Sequence, residues 1–270
     1  MRLTIVGCSG SYPGPESPAS CYLLEADDAD GRTWRVLLDL GSGALGTLHR
    51  HADPLAVDAV LLSHLHADHC LDLTGYYVLR KYHPLGPQPR IPVWGPVGTA
   101  GRMARAYDLD EDPGMREEFD FREWAGVERI GPFTVEPVAV NHPVPAYGLR
   151  VSADGVTLAY TGDTGPCASL DDLARDVDLF LAEASFRSGD DNPPDLHLTG
   201  TDCGQVAARS GARRLVLTHV PPWHDPQDAL AEAEAAYAGP VELAQPGATY
   251  DLGAASRASA SPPHGPRYRS

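Results

Sequence analysis

The sequence predicts an α/β fold of four layers, αββα, in which two mixed β-sheets pack face to face and helices cover their outer sides. Three observations point there. The chain carries two strand-rich halves, each ending in strand–helix units, the pattern of αβ layers stacked sheet to sheet. Several short apolar runs lack alternation, as strands covered on both faces do. A length of 270 residues with 43% apolar content can fill the core of one large domain.

The elements follow in order. LTIVG (3–7), CYLLEA (21–26) and WRVLLDL (34–40) are rich in apolar and β-branched residues, are separated by Gly, Pro and Asp clusters, and read as strands. GSGALGTLHRH turns on its glycines into a short helix. VDAVLLSH (57–64) is a continuous apolar run of strand length, and DHCLDLTGYYVLRKYH after it has apolar residues at helical spacing. A proline-rich connector, HPLGPQPRIP (83–92), leads to the strand IPVWG, the helix VGTAGRMARAY and an acidic loop around DLDEDPGMREE. FTVEPVAVNHP, AYGLRVSA and VTLAYTGD form a second set of strands. VDLFLAEAS and RRLVLTHV are two more buried-type strands, each followed by a helical stretch. Residues 1–252 are expected to form one domain. The remainder, 253–270, ends in SRASASPPHGPRYRS, is low in apolar content, and is expected to be a disordered tail.

Lys and Arg total 21 against 37 Asp and Glu, a net charge of −16. Such a surface repels an extended phosphate backbone, which weighs against long nucleic acid but leaves room for one small phosphate ester at a local site. No apolar run is long enough to cross a bilayer. The N-terminus enters a strand directly, without the regions of a signal peptide. A cytoplasmic enzyme with no membrane partner is therefore expected. Cys8, Cys21, Cys70, Cys167 and Cys203 form no C-x-x-C and read as free thiols.

The strongest chemical signal is S-H-L-H-A-D-H, residues 63–69, where an apolar strand ends and a helix begins. Imidazole and carboxylate together suit Zn²⁺ and other first-row divalent ions. His64, His66, Asp68 and His69 on one turn can point into a small volume. More candidates follow, each at the end of a strand: His142 in VNHP, Asp163 in YTGDTG and His219 in LTHVPP. Seven candidates are too many for one tetrahedral ion and suit two ions that share a carboxylate and a water. His49, His51, His83, His224 and His264 stand outside the pattern.

H-x-H-x-D-H with downstream His, Asp and His resembles the metallo-β-lactamase superfamily over roughly residues 1–252. The resemblance implies an αββα sandwich with a dinuclear centre at one edge of both sheets. Carried over position by position, His64, His66 and His142 would hold one metal, Asp68, His69 and His219 the other, and Asp163 would bridge. Asp39, closing WRVLLDL, would orient a ligand imidazole. Zn²⁺ is the first expectation for both ions, with Mn²⁺ and Fe²⁺ as alternatives.

LAEASF (181–186) and HLTGTDCGQVA (197–207) resemble the phosphodiesterase branch that contains ribonuclease Z. There Glu183 and His197 would form a pair serving the scissile phosphate, so His197, Glu183 and Asp68 are the residues expected to act in catalysis. Thr199 reads as a helix cap. Bacterial ribonuclease Z carries a tRNA-gripping arm between the equivalents of His142 and Asp163, where this chain has room only for two strands and a turn. VGCSGSYPGPESPASCYLL, LLSHLHADHCLDL, LAYTGDTGPC, PPDLHLTGTDCGQVA and LTHVPPW together are similar to the atypical class II cyclic-nucleotide phosphodiesterases of bacteria. That likeness implies hydrolysis of 3′,5′-cyclic AMP or cyclic GMP to the 5′-nucleotide by a metal-bridging hydroxide, in a homodimer, with a small phosphodiester as substrate. A tRNA-processing endonuclease of the ribonuclease Z type, acting on tRNA precursors, a thioester or lactone hydrolase on the same metals, and a non-catalytic metal-binding protein remain as alternatives. The segment 7–20 is either a loop over the site or a plain strand connection.

Overall fold

A computed structural model describes residues 1–253; the remainder of the expected tail, 254–270, lies outside the described residues. The first half of the chain contributes strands β1 (Arg2–Gly7), β2 (Cys21–Asp27), β3 (Thr33–Leu38), β4 (Ala59–Leu61), β5 (Ile91–Gly95) and β6 (Phe119–Glu123). The second contributes β7 (Glu128–Ile130), β8 (Phe133–Ala139), β9 (Tyr147–Ala153), β10 (Val156–Tyr160), β11 (Leu179–Glu183), β12 (Leu215–Thr218) and β13 (Val241–Leu243). The chain then returns through β14 (Thr249–Asp251) to pair antiparallel with β1. Two seven-stranded mixed sheets result, ordered β14-β1-β2-β3-β4-β5-β6 and β13-β12-β11-β10-β9-β8-β7. In each, four neighbouring strands run parallel, β3 to β6 and β10 to β13.

Alternation within the strands builds the layers. Leu3, Ile5, Tyr22, Leu24, Val36 and Leu38 face Val135, Val151, Leu158, Leu179 and Leu181 between the sheets. Their neighbours Val6, Leu23 and Leu37 point outward and pack under α1 (Ala44–Leu48), α2 (Ala67–Cys70), α3 (Leu73–Lys81) and α4 (Thr99–Ala106). On the other sheet, Phe180, Ala182, Leu215 and Leu217 pack under α5 (Ser169–Leu173), α6 (Gly200–Ser210) and α7 (Pro226–Ala236). Strands buried on both faces need apolar residues at every position, which is why LTIVG and LFLAE read as unbroken runs. This is the predicted αββα sandwich.

Two elements depart from expectation. The run 57–64 keeps only Ala59–Leu61 in the ladder: Leu62 N still donates to Trp94 O on β5, but Ser63 N donates to the Asp39 carboxylate and the chain turns away. The helical pattern after His69 breaks into α2 and α3. At the break, Asp72 N donates to Leu40 O at 3.2 Å and the Asp72 side chain accepts from Leu45 N at 2.8 Å. The short strands β6, β7, β13 and β14 and the five-residue α5 carry too little periodicity to stand out in sequence. All five cysteines are free.

Candidate metal centre

The predicted site residues lie just beyond the carboxyl ends of strands: Asp39 after β3, His64 and His66 after β4 with Asp68 and His69 in the short helix α2 that follows, His142 after β8, Asp163 after β10 and His219 after β12. Parallel strands in each sheet deliver these loops to one rim, where open α/β sheets bind ligands. Close chain approach there is built in. A Cβ on Gly41 would stand 1.9 Å from the backbone oxygen of Asp68, so only glycine lets the β3 loop lie against the ligand turn. Asp39 (φ 57°) and His219 (φ 58°) hold left-handed backbone conformations that cost side-chain-bearing residues on the order of 1–3 kcal/mol each.

The side chains converge as two four-residue clusters, with Glu183, His197 and His219 forming a third close group. In the first, His66 Nδ1 lies 3.1 Å from His64 Nε2 and 3.2 Å from His142 Nε2, and His64 Nε2 lies 3.6 Å from Asp163 Oδ2. In the second, His219 Nε2 lies 3.1 Å from both His69 Nε2 and Asp68 Oδ2, and His69 Nε2 lies 3.1 Å from Asp163 Oδ1. Asp163 thus offers one oxygen to each cluster. Within each cluster the potential ligand atoms lie within 4.8 Å of one another.

The outer hydrogen bonds fix what the inner nitrogens are. His142 Nδ1 is 3.0 Å from Leu196 O, a group that only accepts, so the proton is on Nδ1. His69 Nδ1 is 2.8 Å from the Asp39 carboxylate and is likewise the donor. Ser185 Oγ donates its proton to His219 O, so it accepts from His219 Nδ1 at 2.8 Å. Ser63 Oγ donates to Asp39 Oδ2 and therefore accepts from His64 Nδ1 at 3.1 Å. In their neutral form these four imidazoles turn bare Nε2 lone pairs inward, where they repel one another electrostatically unless a cation stands among them. Two nitrogens at the usual zinc distance in a tetrahedron are about 3.3 Å apart, close to the spacings found. Asp163 Oδ1 is buried with no hydrogen-bond partner, the mark of an acceptor shaped for something other than a proton donor. These residues fit a pair of divalent ions.

Electrostatics agree for His64 and His142 but run the other way at His69: burial works against its charge, yet the Asp163 and Asp39 carboxylates prevail and push it well above the usual histidine range, so that a proton takes the place a cation would fill. Burial, then the neighbouring His69, holds His64 well below the usual histidine range, and burial also lowers His142. Burial opposes charge on Asp163, but His219 and His69 outweigh it and keep the carboxylate ionised.

Beside both clusters stands the Glu183–His197 pair. Glu183 is fully buried and accepts from Thr164 N at 3.1 Å, Ser185 N at 3.0 Å and His197 Nδ1 at 2.8 Å. Burial works against charge on His197, yet the charge and hydrogen bond of Glu183 prevail and raise its pKa to about 9. The His197 ring lies between those of His142 and His219, at 5.7 and 5.8 Å, with Phe186 edge-on at 5.0 Å. Thr199 caps α6 in a capping box with Asp202, as expected.

The structure therefore brings all the predicted residues together: His64, His66, Asp68, His69, His142, Asp163, His219, Asp39, Glu183 and His197. Cys70 is not among the clustered groups; it packs against His66 O and burial pushes its thiol to about 12. Three supporting residues escaped notice in the sequence. Tyr160 donates to Asp39 Oδ2 at 2.7 Å, and Ser63 and Ser185 set imidazole tautomers. Their only signal was position inside the quoted motifs.

A metallo-hydrolase of the β-lactamase fold is the class that this sandwich and this rim define. The chain belongs to the β-lactamase superfamily: residues 34–220 match the family described as "Beta-lactamase superfamily domain". An uncharacterized Mycobacterium tuberculosis protein, Rv1339, is 47% identical over 93% of this chain and 92% of its own length. A ribonuclease Z of Mycolicibacterium paratuberculosis is 31% identical over 90% of this chain and 95% of its own. The crystal structure of YhfI from Bacillus subtilis, a metallo-β-lactamase fold protein, superposes with a TM-score of 0.80 at 25% identity, covering 92% of this chain and 98% of that one. Among the described residues, no helix is long and apolar enough to cross a membrane.

Proposed function

We propose that this chain is a phosphodiesterase that opens 3′,5′-cyclic nucleotides, cyclic AMP first and cyclic GMP second, to their 5′-nucleotides. The observation that carries the reading is the Glu183–His197 pair, 2.8 Å apart and set beside both ligand clusters. With a pKa raised to about 9, His197 is cationic at neutral pH and suited to meet an oxygen leaving phosphorus.

In this reading His64, His66 and His142 would hold one metal and Asp68, His69 and His219 the other, with Asp163 offering an oxygen to each cluster. When bound, the two ions, Zn²⁺ first with Mn²⁺ or Fe²⁺ as alternatives, supply Lewis acidity toward the phosphoryl oxygens and the means to activate a water. The remaining work falls to the chain. Asp39, Ser63, Ser185 and the Leu196 carbonyl keep the imidazoles turned with their bare nitrogens inward. Glu183, with Thr164 and Ser185 N–H groups on its oxygens, fixes the His197 proton at Nδ1. The second ring proton, on Nε2, is then free to go to the departing 3′-oxygen.

A small substrate is favoured by two features. The residues between His142 and Asp163 are taken up by β9 and β10, an ordinary antiparallel pair with no projecting arm. The net charge of −16 disfavours a long polyanion. The same reading makes residues 1–252 one hydrolase domain, and the protein a cytoplasmic homodimer. One observation favours a second reading, tRNA processing: the relative named ribonuclease Z spans 90% of the chain.

The test offers metal-analysed protein 3′,5′-cyclic AMP, a tRNA precursor and an acyl thioester in parallel. Turnover of the cyclic nucleotide is expected. Cleavage of the tRNA alone would replace the substrate with that of the second reading, and turnover of the thioester alone would remove phosphodiester chemistry altogether.

A further inference from the structure

The loop after β1 and the loop after β12 are stitched together at the rim of the metal centre. Ser9 forms a β-bridge with Val220, Gly10 N donates to Val220 O at 3.2 Å, and His219 N donates to Cys8 O at 3.0 Å. A Cβ on Gly10 would stand 2.2 Å from His219 O, so the two backbones touch. Ser11, in a left-handed conformation at φ 64°, brings its N–H to 3.5 Å from His219 Nε2, the inward-facing nitrogen. The loop over 7–20 thus reaches the site itself.

The next residue is Tyr12, and four residues beyond His219 is Trp223. Both are large aromatics left 47% and 59% exposed, and their rings pack against each other at 5.5 Å and 37°. Ser9 Oγ donates to Tyr12 O at 2.7 Å and the His224 ring stands edge-on to Trp223 at 6.0 Å, so neither ring hangs on an untethered backbone. At that spacing nothing planar fits between the rings, but Trp223 keeps more than half of its surface exposed. Among the described residues, every ion pair at the centre joins a histidine to a carboxylate. The part of an anionic ligand beyond its phosphate can be held by uncharged contacts. Stacking on an aromatic ring is such a contact and accepts any base.

We infer that Tyr12 and Trp223 form a stacking platform for the nucleobase of the ester whose phosphate sits at the metal centre. The inference rests on the phosphodiesterase reading and deepens it, because it makes the site select a nucleotide over a bare sugar phosphate. Tyr12 adjoins the residue whose N–H approaches His219, while a nucleobase lies one ribose away from its phosphate.

Calorimetric titration of the metal-loaded, full-length protein tests this without turnover, using 5′-AMP and ribose 5-phosphate as probes. The wild type is expected to bind 5′-AMP at least about fivefold more tightly, the lower end for one base–aromatic stack. Trp223→Ala and Tyr12→Ala are each expected to bring the ratio toward one, and Trp223→Phe to preserve it. Equal affinities in the wild type, or an undiminished preference in either alanine variant, would overturn the platform. Cyclic AMP hydrolysis is scored separately. A nucleotide preference without hydrolysis would contradict the proposed function and leave the platform standing; hydrolysis without the preference would do the reverse.

Discussion

At the scale of single residues, the site separates groups that would hold metal from groups that act on the substrate. The proposed reading assigns His197 to the second kind: it forms a third close group with Glu183 and His219, but its Nδ1 is committed to Glu183. Replacing it by alanine should leave metal content unchanged by elemental analysis while cyclic AMP turnover falls by about two to four orders of magnitude. A variant with full rate would remove His197 from the chemistry. Asp39 is a positioning residue. Its Oδ2 accepts from Ser63 Oγ, His69 Nδ1 and Tyr160 Oη at 2.7–2.8 Å, and an amide in place of the carboxylate cannot accept all three in the same way. Asp39→Asn should weaken metal affinity about 10- to 100-fold in a chelator competition. The residues that converge at the rim were legible in sequence because imidazole and carboxylate at strand ends are rare and chemically distinctive. Ser63, Tyr160 and Ser185 were not, since a serine or tyrosine looks the same whether or not a folded partner waits across the sandwich.

At the scale of elements, the loops after the strands do the positioning, and their tolerances are tight. Gly41→Ala would force the β3 loop away from Asp68 O, 1.9 Å from the new Cβ, and neither backbone can yield alone. A loss of roughly 1–3 kcal/mol in denaturant unfolding is expected, together with weaker metal binding. Wild-type stability and affinity in that variant would show that the loop is not a fixed support. Strand positions were readable where a run is buried on both faces, as in LFLAE. Boundaries were less so. The expected strand 57–64 ends early because Ser63 N is drawn to Asp39, and the helix after His69 breaks because Asp72 bonds to Leu40 and Leu45. Both interruptions are caused by residues distant in sequence, so no local pattern announces them. The edge strands β13 and β14 are three residues each, and β14 pairs with the opposite end of the chain.

At the scale of the whole molecule, the core between the sheets and the two helix-covered faces hold together without any group from the metal centre. The fold should therefore survive chelation, with far-UV circular dichroism retained. The melting temperature should drop, because ions that bind only the folded state stabilise it by mass action. Collapse of the secondary structure on chelation would mean that the rim, rather than the core, holds the sandwich together.

The most direct test of the account is to titrate zinc into metal-free protein while following cyclic AMP and identifying the product. The two ligand clusters that share Asp163 predict little activity until the second equivalent, then a plateau, with 5′-AMP as the sole product because His197 serves the 3′-oxygen. Full activity at one equivalent, 3′-AMP as the product, or no turnover at any zinc level would contradict it.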